Sequence, residues 1–101
     1  IKALAEFEKL TMYEDTTQLM IALLQREFRM ISQVITAKNN GVSTQSLGIA
    51  PFILKKVVEK ANKYSINDVR NFISRLFGLD YAIKSGEIDD KIGLTLFLLT
   101  L

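Results

Sequence analysis

A chain of 101 residues is one domain's length of polypeptide, enough to bury a modest core. Its 49% hydrophobic and 24% charged residues give a globular rather than a disordered balance, and a net charge of +2 is too weak to single out nucleic acid as a partner. Without cysteine there are no disulfides or thiolate metal sites, and without histidine there is no Ser-His or Cys-His arrangement and no commonest metal ligand.

One proline and five glycines leave room for long helices and are too few for the turns of an all-β chain. No run of about 20 apolar residues appears, so no membrane span is expected. The opening Ile1-Lys2-Ala3 has no Met and is not a signal peptide. The expectation is a single helical domain over residues 1–101, a cytoplasmic fragment of a longer protein.

About six helical segments follow from the periodicity, an all-α compact bundle of about five to six helices. The first spans about Lys2 to Met12, with Leu4, Phe7 and Leu10 on one side, and Glu14-Asp15-Thr16-Thr17 breaks it. Thr16 or Thr17 can cap the second, longest segment, which Asn39-Asn40-Gly41 ends. On that segment Leu19, Met20, Ile21, Leu23, Leu24, Phe28, Met30, Ile31, Val34, Ile35 and Ala37 cover roughly 200° of the circumference, about twice what one core requires. The helix is therefore expected to be buried from two directions. A short third segment, about Ser43 to Leu47, stops at Gly48, and the fourth opens at Pro51, where a missing N–H costs nothing. Leu54, Val57, Val58 and Ala61 form its apolar stripe, flanked by Phe52, Ile53 and Tyr64. Lys55, Lys56, Glu59, Lys60 and Lys63 form its outer face. Ser65-Ile66-Asn67-Asp68 reads as a capping box with Asp in place of Glu. The fifth helix then runs to about Ser85, with Gly86 as its cap. Asp89 or Asp90 caps the last, Lys91 to Leu101, which is apolar almost all round.

Glu27 and Asp80 project near the middle of apolar arcs, where an ionised carboxylate must be paired or hydrogen-bonded. Lys84, one turn on, is the natural partner of Asp80. Glu27 has only Arg26 beside it, and adjacent residues do not face each other on a helix. The bland assignment, a bond inside the domain, is the favoured one for both, and a catalytic carboxylate pair is remote. The lysine stripe reads as a solvated face, since no aromatic residue or arginine interleaves with it. Ser43 to Phe52 has helix-turn-helix character, but the following turn, Pro51-Phe52-Ile53-Leu54, is apolar and suits packing better than reading bases. The second, fifth and last helices together offer more apolar surface than one small core hides. An exposed interface is therefore expected on Phe77, Tyr81, Phe97 and Leu101.

Four stretches resemble the C-terminal domain of the delta subunit of the bacterial DNA polymerase III clamp loader. They are Leu23-Leu24-Gln25-Arg26-Glu27-Phe28-Arg29, then Leu47-Gly48-Ile49-Ala50-Pro51-Phe52, then Lys55-Lys56 with Ala61-Asn62-Lys63-Tyr64-Ser65, and Asp80-Tyr81-Ala82-Ile83-Lys84-Ser85-Gly86 before a leucine-rich last helix. The resemblance implies a helical collar domain of the post-AAA+ oligomerisation type. Its partners would be the other clamp-loader subunits, of gamma/tau and delta-prime type, with the sliding clamp and primed DNA reached only through the parent complex. It implies no cofactor, metal, membrane or small-molecule substrate, and no catalysis by this domain, although the parent subunit belongs to a DNA-directed DNA polymerase holoenzyme with a nucleotidyltransferase activity. Arg29, Asp80 and Lys84 carry over as signature positions of structural character. Glu27 departs from the pattern, standing where the family has a neutral glutamine. At a subunit seam its natural partner would be a basic residue of the neighbouring subunit. A helix-turn-helix DNA-binding regulator and a fragment of a small helical enzyme are the competing readings.

Overall fold

A computed structural model gives the fold over residues 16–101. The expected first helix, with Leu4, Phe7 and Leu10, lies outside the described residues. Helix α1 spans Thr16–Asn39, a 3-10 turn spans Thr44–Leu47, α2 spans Pro51–Ala61, α3 spans Ile66–Lys84 and α4 spans Asp90–Leu98. There is no strand among the described residues, so the all-α class holds, and none of their helices is long and apolar enough to cross a membrane.

The boundaries follow from local chemistry. Helix α1 ends in a Schellman motif. Gly41, at φ +67°, donates its N–H to the Lys38 carbonyl at 3.3 Å, and Val42 donates to that of Ala37 at 2.8 Å. Helix α3 ends the same way: Gly86, at φ +77°, donates to Ile83 at 3.1 Å and Glu87 to Ala82 at 2.9 Å. In both, the left-handed residue lets two otherwise orphaned carbonyls find donors. Pro51 opens α2 behind Ala50, which makes no side-chain cap. At the start of α3 the expected capping box is complete. The Asp68 N–H donates to Ser65 Oγ at 3.1 Å, and the Ser65 N–H donates to Asp68 Oδ2 at 3.0 Å. Asp89 caps α4 by accepting from the Ile92 N–H at 3.0 Å. That helix ends at Leu98, three residues earlier than expected, in a tight turn where Thr100 and Leu101 donate to the carbonyls of Phe97 and Leu98.

The chain divides into two compact units, residues 25–74 and residues 1–24 with 75–101. In the first, Phe28, Ile31, Val34, Ile35, Ala37, Val57, Ala61 and Val69 are buried. The Phe72 ring stacks on Phe28 at 5.5 Å between centroids and meets Tyr64 edge-on at 5.4 Å. Two polar contacts tie α2 and its C-terminal cap to α1: Lys60 pairs with Glu27, and Lys38 Nζ donates to Asn62 Oδ1 at 3.0 Å. In the second unit the buried apolar residues are Met20, Ile21 and Leu24 of α1, Leu76 of α3, and Leu94, Phe97 and Leu98 of α4. Arg75 lies over the Phe97 ring at 5.5 Å and donates to Thr100 Oγ1 at 2.8 Å.

Helix α1 is buried more unevenly than expected. One flank carries Leu19 and Leu23 in its first turns and Val34 and Ala37 in its last turns. The latter pair is buried, but Leu19 and Leu23 remain 54% and 47% exposed. Burial from a second direction therefore applies to the C-terminal half of α1 and fails at those two leucines.

Three stability outcomes follow. Ser65→Ala removes one half of the capping box and should cost about 1 kcal/mol in denaturant unfolding. Leu94→Ala, at a fully buried position, should cost roughly 2–5 kcal/mol, while Leu96→Ala, two residues on and exposed, should cost well under 1 kcal/mol. A double-mutant cycle on Glu27 and Lys60, whose side chains are 32% and 50% exposed, should return a coupling below about 1 kcal/mol that shrinks with added salt.

Candidate functional site

Helix α4 has two apolar faces. At 100° per residue Gly93, Leu94, Phe97 and Leu98 share one side, and all four are buried. Ile92, Leu96 and Leu99 share the opposite side and are 59%, 55% and 53% exposed. The buried face approaches its neighbours closely at Gly93, where a Cβ would lie 2.7 Å from Leu79 Cδ1 and 3.3 Å from Ile88 Cδ1. The outer face meets solvent with no polar residue but Thr95 and Lys91 along its edge. Leu101 adds a further partly exposed leucine beyond the helix.

On α3, Phe77 and Tyr81 stand one turn apart on the exposed side, at 58% and 71% exposure. Asp80 points to the buried side of the same turn, its side chain only 18% exposed. It accepts from Lys84 Nζ at 2.9 Å through Oδ2, the i, i+4 pair expected from the sequence, while Oδ1 is buried with no hydrogen-bond partner among the described residues. The Ser85 hydroxyl donates back to the Tyr81 carbonyl at 2.9 Å. The last turn of α3 is thus pinned by two side chains next to the exposed Tyr81.

One expectation is corrected. Phe97, expected on the exposed apolar surface, is only 5% exposed, because it falls on the side of α4 that also carries Leu94 and Leu98. The carboxylate of Glu27 has the bond inside the domain that the sequence favours for it, to Lys60 of the same chain, which the turn between α1 and α2 brings back against it. Arg29 is exposed and forms no ion pair among the described residues. Among those residues no three acidic side chains gather as a metal site requires. Treating α4 as uniformly apolar misses Ile92, Leu96 and Leu99 as an outer stripe. Their spacing of four and then three residues, set against Leu94, Phe97 and Leu98, is the signal that separates the two faces.

Over residues 1–101 the chain matches the family described as DNA polymerase III delta subunit, C-terminal domain. It is 30% identical over 99 residues to the DNA polymerase III subunit delta of Bacillus subtilis (strain 168), an alignment that covers 94% of this chain and 28% of that protein. The chain thus spans a little over a quarter of the length of that relative. No solved structure matches it. With the family matched from end to end and the helical architecture in agreement, the chain belongs to the family of C-terminal domains of the DNA polymerase III delta subunit, a family of the DNA replication machinery.

Proposed function

We propose that this domain holds its subunit in the ring-shaped clamp-loader assembly through apolar contacts with other clamp-loader subunits, of gamma/tau and delta-prime type, and supports loading of the sliding clamp without chemistry of its own. In this reading the sliding clamp and primed DNA are reached only through the parent complex, and the protein works in the bacterial cytoplasm.

The observation that supports it best is the outer face of α4. Ile92, Leu96 and Leu99 make a stripe three residues long, each more than half exposed, on a helix whose other side already fills the core. Stripes of that kind mark protein interfaces more often than idle surface. Phe77 and Tyr81 on α3 present aromatic side chains of the type that dominates interface energetics. In this reading Glu27 serves within the domain, through its pair with Lys60. Asp80 and Lys84 act as scaffold, their pair fixing the turn that presents Tyr81. A helix-turn-helix reader gains nothing from the geometry, because the first turn of α2 offers Pro51, Phe52, Ile53 and Leu54, none of which can donate a side-chain hydrogen bond to a base edge.

The test is Leu96→Asp in the complete delta subunit, mixed with its partner subunits and resolved by size-exclusion chromatography. The substitution adds a charge at an exposed position, so the far-UV circular dichroism of the subunit should be unchanged while its affinity for the assembly falls at least tenfold. Assembly at the parental affinity, with the aspartate in place, removes this reading.

A further inference from the structure

The charges of this chain are not evenly distributed. The unit formed by residues 25–74 carries eight Lys and Arg against three Asp and Glu, a net of +5, whereas the rest of the sequence carries five against eight, a net of −3. The modest total of +2 conceals a basic half and an acidic half, the kind of asymmetry that accompanies binding to a polyanion.

Within the basic unit the positive charge converges on α2. Val57 and Ala61 mark the buried side of that helix. Phe52, Lys55, Lys56 and Glu59 project from the opposite side, and all four are exposed; Lys63, exposed as well, lies in the turn just beyond the helix. Lys60, at the edge of this face, is already committed to Glu27. Phe52 is the most exposed large hydrophobic residue among the described residues, at 74%, and Lys56 Nζ lies 4.5 Å from its ring centroid. An aromatic residue among the lysines is the feature that the sequence pattern lacks, while Glu59 stands within the same face as expected. The sequence pattern puts Phe52 on the flank of the buried stripe, but the fold places it with the lysines instead.

We propose that this face of α2, with the turn that follows it, binds single-stranded nucleic acid, with Phe52 as a stacking platform for one base and Lys55, Lys56 and Lys63 as contacts to the flanking phosphates. An exposed ring beside several ammonium groups supplies the two elements that sequence-tolerant single-strand recognition needs, a π face and a phosphate track. A duplex is a poor fit, because its bases are already stacked on one another and the first turn of α2 has no donors for a groove. A partner protein would have to match three lysines with acidic groups and cover Phe52 as well, and nothing in the fold asks for that. The inference goes beyond the assembly role and does not rest on it: the outer faces of α4 and α3 use none of these residues, and a direct contact to single strands replaces the view that DNA is reached only through the parent complex.

The experiment uses the complete subunit and a fluorescein-labelled oligothymidylate of about 20 nucleotides, followed by anisotropy over a range of salt concentrations. Phe52→Ala should weaken binding about tenfold and Phe52→Trp should retain it, since stacking on an aromatic ring is worth roughly 1–3 kcal/mol per base. Replacing Lys55, Lys56 and Lys63 together by Ala should lower the steepness of log K against log salt by about 2, at roughly 0.7 for each phosphate that no longer meets a lysine. A bromodeoxyuridine-substituted oligonucleotide, irradiated in the complex, should cross-link within the first turns of α2. Any of three results overturns the proposal: equal affinity of parent and Phe52→Ala, competition by duplex as effective as by single strand, or cross-links only outside α2.

Discussion

A helix with two apolar faces has one core in which to bury them, and that constraint governs how this domain is built. Helix α4 gives Leu94, Phe97 and Leu98 to the interior and leaves Ile92, Leu96 and Leu99 in water. Each of these half-exposed side chains forgoes about 1 kcal/mol of burial, so the stripe withholds several kcal/mol from the folded chain that a docking surface could recover. The buried side packs closely at Gly93, where an added Cβ would press on the tip of Leu79. The caps point the same way. Asp89 fixes where the helix starts, the capping box fixes α3, and Asp80–Lys84 fixes its last turn, so the exposed residues are presented by well-defined elements.

Charge and apolar surface are divided between different parts of the sequence. The exposed stripes of α4 and of the C-terminal half of α3 belong to the acidic unit, and the lysine face of α2 belongs to the basic one. The two ion pairs are partly solvated, one within a helix turn and one between helices, and add little stability. Asp80 differs in that its second carboxylate oxygen is buried without a donor among the described residues.

Much of this was legible in the sequence. Hydrophobic period and capping chemistry located α1 to α4, the Schellman glycines and the Ser65–Asp68 box, because those signals are local and act within a few residues. The Asp80–Lys84 pair was equally local. What escaped was long-range. Lys60 reaches Glu27 only because the chain turns back between α1 and α2, and a helical projection cannot show that. Phe97 and Leu96 are neighbours in sequence and opposites in burial, which depends on the direction from which α3 meets α4. Phe52 lay on the boundary between the stripe and the outer face of α2, and the rotation of that helix decided its exposure.

The central claim is that the outer face of α4 is covered in the working assembly and open in the free subunit. This chain contains no cysteine, so a thiol introduced by Leu96→Cys reports on that face alone within the domain. Its labelling rate with a maleimide, read by mass spectrometry on the peptide that carries it, is the direct measurement. In the isolated subunit the thiol should react at the rate of an exposed side chain, and in the complete clamp-loader complex at least tenfold more slowly. Equal rates in the two states would contradict the account.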